Sequence, residues 1–150
     1  LYNHLDYSFA VGHEDGTFAY PETQPGGGSA ALRRQLRRLR QFVEGFDFVR
    51  MAPDAEVVRG GVPADVAAFA LGEAGLQYGI YLCQSGDEPR APAPVPLRLH
   101  LPEGAYRAEW FDPASGEVTR AELLDHRGGD AQLPSPAFAQ DAALRVLAAR

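Results

Sequence analysis

Cysteine is nearly absent: Cys83 is the single one in 150 residues, so no internal disulfide can form. It lies in an apolar, strand-like run, which predicts a buried structural thiol. Lysine is missing altogether, and the 14 basic residues are all arginine. That reads as the base composition of a GC-rich coding sequence, not as guanidinium chemistry. Positive charge is in deficit, and a net charge of −6 excludes the basic surface that general nucleic-acid binding requires. No apolar run approaches the ~20 residues a bilayer-spanning helix needs, so no membrane partner is expected. The first residues lack the pattern of a secretory signal, and no internal repeat is present. A chain of 150 residues suits one domain, or a short segment plus a small domain, and can bury a core without disulfides.

What is present falls into two textures. Residues 1–28 are irregular and rich in functional groups. Leu5-Asp6-Tyr7-Ser8-Phe9-Ala10-Val11 runs into Gly12-His13-Glu14-Asp15-Gly16-Thr17, a Gly-punctuated mixture of aromatic, imidazole and carboxylate groups that no packing rule demands. Loops of this length in compact domains are functional or disordered, and the aromatics Tyr7, Phe9, Phe18 and Tyr20 argue against disorder. The chain opens on Leu, not Met, which leads us to expect the tail of a larger protein. A helix follows, with Ser29 as its N-cap and Gly45 in the left-handed position after its last turn. Leu32, Leu36, Leu39 and Val43 form its apolar stripe, and Arg33, Arg34, Arg37, Arg38 and Arg40 its solvated face. Phe46–Asp54 reads as an anchored connector.

Two-residue periodicity takes over beyond residue 54. Strands are predicted at Asp65–Leu71 and Leu76–Cys83, joined in a hairpin, and then at Leu97–Leu101, Tyr106–Phe111, Val118–Leu124 and Ala142–Val146. Pro102–Gly104, Asp112–Gly116 and Asp125–Asp130 read as the turns between them. Pro89–Pro96 is a stiff spacer. Tyr78, Ile80 and Leu82 share a face and read as core. Tyr106 and Trp110 also share a face, either as core or as an exposed sugar-stacking platform, and burial is the better reading for a lone Trp on a short strand.

The chemistry of the first segment leaves several readings. Glu14 and Asp15 are adjacent and diverge, so they make a poor acid/base pair with each other, but either could partner a carboxylate elsewhere. They could also cap backbone amides in a tight turn. His4, Asp6, His13, Glu14 and Asp15 lack any recognisable metal-ligand spacing. Ser8 has no nucleophile elbow around it, and Gly26–Ser29 lacks the lysine of a phosphate-binding loop. No cofactor and no metal are therefore expected.

The order of motifs Asn3–Phe9, Gly12–Thr17, Pro25–Ser29 and Phe46–Asp54 resembles the last part of a glycoside-hydrolase-like (β/α)8 barrel of the apiosidase-like group. Tyr106–Gly116 and Ser135–Phe138 through Asp141–Leu144 resemble the small β-sandwich that follows such barrels, known as the collagen-binding domain of a collagenase. The resemblance implies a mainly β chain: residues 1–53 as a barrel-terminal strand, loop, helix and connector, and residues 54–150 as an antiparallel β-sandwich. It implies a carbohydrate-active enzyme whose sandwich is an accessory, stabilising domain with the parent catalytic barrel as its partner. Barrel sites lie on loops after the strands, so Tyr7, His13, Glu14 and Asp15 are the expected substrate-binding residues, and no catalytic residue is assigned. The rival expectation is a non-catalytic module that binds a polysaccharide or a collagen-like ligand. A secreted or periplasmic location follows from the resemblance alone. A fragment beginning near residue 54 is expected to fold by itself.

Overall fold

The hairpin that the alternation predicts is the start of a mainly β, antiparallel fold. In the computed structural model, which describes residues 30–86 and 91–149, the strands are β1 (Ala52–Pro53), β2 (Val58–Gly60), β3 (Val66–Glu73), β4 (Gln77–Gln84), β5 (Arg98–Phe111), β6 (Val118–Gln132) and β7 (Asp141–Ala148). Gly75, at φ +75°, makes the tight turn between β3 and β4. Contacts divide the chain into residues 1–42 and 43–150. The connector therefore belongs with the strands, in a unit termed here the β-domain.

In the first unit, α1 (Ala30–Val43) is the helix foreseen from the stripe. Leu36 and Val43 are half-buried, whereas Leu39 is 59% exposed. Gly45 does not take a positive φ; the helix end is closed by the Phe46 N–H donating to the Val43 carbonyl at 3.1 Å. The Ser29 cap, the Gly26–Gly28 run and the whole of residues 1–28, with Tyr7, His13, Glu14 and Asp15, lie outside the described residues.

The β-domain strands form one sheet in the order β1-β3-β4-β7-β5-β2, with β6 also paired to β5. The expected mainly β, antiparallel fold is present, with its strands joined in one continuous sheet. The reason lies in the β5–β6 ribbon. Leu99 and Leu101 are buried on its odd-numbered face, but Tyr106, Ala108 and Trp110 are buried on its even-numbered face, and all belong to one core cluster. Pairing runs without a slip from Arg98↔Gln132 to Trp110↔Arg120. The ribbon must therefore twist, so that its two halves offer opposite faces to the same core.

The twist sits where turns were expected. Pro102 to Gly104 and Asp125 to Asp130 are not ends of strands but the middles of β5 and β6, facing each other through Glu103↔Arg127 and Gly104↔His126. Gly128 and Gly129, at φ +86° and +93°, supply a backbone shape that other residues rarely adopt. Turn-forming residues placed opposite one another bend a two-stranded ribbon without ending it.

The core is apolar and deep. Leu82, Val95, Leu97, Leu99, Leu101, Ala108, Trp110, Leu133, Leu144 and Val146 are wholly inaccessible. The Pro-rich spacer contributes to it: the Val95 N–H donates to Ser135 Oγ at 2.8 Å, and the Ser135 N–H to the Val95 carbonyl at 2.9 Å. Such reciprocal pairing satisfies backbone that no strand covers.

Candidate functional site

With Tyr106 and Trp110 in the core, at 1% and 0% exposure, neither can stack on a sugar. The candidate surface moves to the other face of the sheet, where the register lines up three rows.

The first row anchors the connector. Gln77 is buried and bound at both ends to Asp47: its Oε1 accepts from the Asp47 N–H at 2.9 Å, and its Nε2 donates to the Asp47 carbonyl at 3.0 Å. Arg50 Nε donates to Glu73 Oε1 at 2.7 Å. Phe46 lies over Gly79, where a Cβ would stand 3.1 Å from the Phe46 ring, close enough that the ring would have to shift by a few tenths of an ångström. Between connector and strands lies a cavity of about 520 Å³ lined by Gly45, Asp47, Arg50, Glu73, Leu76, Gln77, Leu147 and Ala148. A fragment of residues 54–150 loses all of these contacts. We expect residues 43–150 to be about 2–4 kcal/mol more stable than residues 54–150 in urea unfolding, from two uncovered apolar side chains and an unsatisfied Gln77.

The middle row carries charge. Glu109, with its side chain 7% exposed, is gripped by Arg145 from β7 and by Arg107 two residues away, each at 2.6 Å. Arg145 also stacks on the Phe111 ring, 4.7 Å from its centroid. Burial pushes the Glu109 carboxyl up, but the hydrogen bonds and charges of Arg145, then of Arg107, outweigh it and hold the group below its ordinary value of 4.5. A lowered folded pKa means stability that is complete above the unfolded value and lost as pH falls through the folded one. Glu109→Gln should cost about 2–3 kcal/mol at pH 7. The difference from the parent should shrink as pH drops below 4.5, which urea unfolding across pH measures. A carboxylate so fully occupied is a clamp between β5 and β7, not a proton donor.

The third row holds aromatics. Phe69 and Tyr81 are direct cross-strand partners, 61% and 39% exposed. Tyr81 Oη donates to Asp141 Oδ2 at 2.8 Å. Partial burial, then the Asp141 carboxylate, raise the Tyr81 pKa, so the phenol keeps its proton at all ordinary pH. Cys83, expected to be buried, is half-exposed on this same face between Ala67 and Asp141. Phe69, Tyr81 and Asp141 were not singled out in the sequence. Arg107 and Glu109 show their common face through their spacing, but Arg145 joins them only through the β5–β7 pairing.

Among the described residues there is no cluster of His, Cys, Asp or Glu that could hold a metal ion. No helix among them is long and apolar enough to cross a membrane. No family model and no curated protein matches the chain. Solved structures do. One described as a glycoside hydrolase aligns over 91% of this chain and 32% of its own, with a TM-score of 0.57 and 18% identity. The crystal structure of a glycoside hydrolase family 5 protein from Bacteroides vulgatus ATCC 8482 aligns over 89% of this chain and 30% of its own, at 0.56 and 18%. The fold is one found in glycoside hydrolase chains. This chain spans about a third of the length of those structures. At such identity the likeness is one of fold, and no collagen-binding family is shown.

Proposed function

We propose that this chain is the C-terminal portion of a carbohydrate-active enzyme of the glycoside-hydrolase type, with the β-domain as an accessory unit that stabilises a catalytic barrel. The carrying observation is the alignment of nine-tenths of this chain with a third of solved glycoside hydrolase chains. The β-domain adds a second support: its one buried carboxylate among the described residues, Glu109, is neutralised by two arginines and unfit for acid/base work. Tyr7, His13, Glu14 and Asp15 are the residues proposed to contact sugar. The chain alone is expected to release no reducing sugar from a panel of glycosides, while the product of the longer reading frame does. Substitution of Glu14 or Asp15 in that longer protein should raise KM or lower kcat. Hydrolysis by the 150-residue chain itself would overturn the proposal.

A second reading is supported by the exposed Phe69/Tyr81 pair beside Asp141: a module that holds a polysaccharide, or a collagen-like ligand, on its sheet face. Affinity electrophoresis on a glycan and collagen panel separates the two readings. Saturable retention, lost in Phe69→Ala/Tyr81→Ala with the fold intact, favours the module.

A further inference from the structure

One long strand edge in the β-domain is open. Among the described residues β6 pairs only with β5, so the other edge of Val118–Gln132 has no strand beside it. Backbone groups turn alternately to the two sides of a strand. The Ala105 carbonyl accepts from the Ala149 N–H at 2.8 Å, so odd-numbered residues from Ala105 to Phe111 turn toward β7 and even-numbered ones toward β6. Their partners Leu124, Glu122 and Arg120 therefore turn toward β5. The N–H and C=O of Ala121 and Leu123 are left pointing out of the edge. Both residues are exposed, Leu123 by 79%.

Open edges invite pairing, and natural folds guard them with charge. Here Arg120 and Glu122 flank Ala121 with opposite signs. Arg120 Nε and Nη2, Glu122 Oε1 and the neighbouring Trp110 Nε1 are covered and have no hydrogen-bond partner. Arg120 Nη1 and Glu122 Oε2 are the ends left to meet solvent, on side chains that are each 37% exposed. A guard of one sign repels its own copy; the order Arg-Ala-Glu does not. When two such strands run antiparallel about Ala121, Arg120 of each lies opposite Glu122 of the other. Moving the centre one residue either way sets Glu122 against Glu122 or Arg120 against Arg120.

We propose that the β6 edge is a self-association surface that takes a second copy of this chain, paired antiparallel with the symmetry axis at Ala121. The two Ala121 residues exchange a pair of backbone hydrogen bonds. The Arg120/Glu122 pairs beside them occupy the closer, non-hydrogen-bonded positions, where opposite charges across strands attract. Leu123 comes to lie opposite Thr119 and loses contact with water. Trp110 pairs with Arg120 but Phe111 with Val118, so Thr119 is a bulge, and it ends the new ladder on both sides of the axis. The contact is short, smaller than the ~1,200 Å² of a stable interface, so a dissociation constant of about 0.1 mM is expected. The pairing is independent of the accessory role of the β-domain.

Sedimentation velocity of the full chain, loaded from about 10 µM to about 1 mM, spans that constant and should show monomer passing into dimer. Arg120→Glu alone, or Glu122→Arg alone, sets like charges opposite each other at two places and should weaken the dimer about tenfold or more. An equal mixture of the two variants restores the match and should pair as tightly as the parent. The double exchange Arg120→Glu/Glu122→Arg should do the same by itself. Ala121→Pro removes an N–H that faces outward, so the fold should stay and the dimer should go. Circular dichroism checks each fold; if one charge reversal fails to fold, Ala121→Pro and the double exchange carry the test. A monomer at every concentration overturns the proposal. So does a dimer indifferent to Ala121→Pro or to the charge reversals, or a mixture no tighter than its components.

Discussion

Gly61→Ala is expected to destabilise the β-domain more than any other single methyl addition. Gly61 follows β2 at φ +78°, and a Cβ there would stand 1.7 Å from the Pro96 carbonyl oxygen. That neighbour is backbone, so no rotamer change relieves the clash; the Pro-rich segment or β2 must move. Moving the segment pulls on Val95 and Leu97, which are fully buried. Left-handed strain of about 1–2 kcal/mol adds to overpacking of about 1–3 kcal/mol or more. A total of about 2–5 kcal/mol is a large part of the ~5–15 kcal/mol that a domain possesses. Gly75→Ala is the matched control, because Gly75 has the same sign of φ but its nearest neighbour is Pro102 Cγ at 3.9 Å. It should cost about 1–2 kcal/mol, from backbone strain alone. Thermal unfolding of the two variants should therefore differ widely; equal midpoints would show that Gly61 is not packed against Pro96.

Trp110→Ala should cost about 3–5 kcal/mol, the usual loss when a fully buried aromatic side chain is truncated. Trp110 sits between Leu144 on β7 and Arg120 on β6 and has no accessible surface. Its truncation opens a cavity at the place where one strand holds two others. Trp110→Phe keeps most of the buried ring and removes the unsatisfied N–H, so it should cost much less. A surface platform behaves in the opposite way, with ligand binding lost and stability kept. Urea unfolding of both variants decides the matter, and a Trp110→Ala chain as stable as the parent would contradict its core position.

These two residues also show what can be read from the sequence. Trp110, Ala108 and Tyr106 keep a strict two-residue spacing, as do Leu97, Leu99 and Leu101, so each trio announces a buried face. Nothing in the spacing says that one ribbon carries both trios. Pro102, Gly104, Gly128 and Gly129 have the local chemistry of turns, and only their cross-strand placement makes them the pivot of a continuous ladder. Gly61 gave no signal, since its demand comes from Pro96, 35 residues further on. The same holds for the surface clamp: Arg145 is 36 residues from Glu109, and only the β5–β7 register joins them. Local periodicity reveals faces; pairing between distant segments decides which charged groups meet. Tyr7, His13, Glu14 and Asp15, the residues with the richest chemistry in the sequence, lie outside the described residues.

The face carrying Gln77, Glu109 and Phe69 combines a pinned connector, a neutralised carboxylate and exposed aromatics. Pinning and neutralisation suit a stabilising unit, since both are rigid and neither leaves a proton to transfer. If the chain is, as proposed, the tail of a longer glycoside-hydrolase-type protein, the most direct measurement compares that protein with and without residues 43–150, following the midpoint of thermal inactivation and kcat/KM on a small soluble glycoside. The accessory role predicts a midpoint lowered by about 5 °C or more, as expected from losing a few kcal/mol of support, with kcat/KM at low temperature nearly unchanged. An unchanged midpoint, with loss of retention on an insoluble polysaccharide, would contradict it.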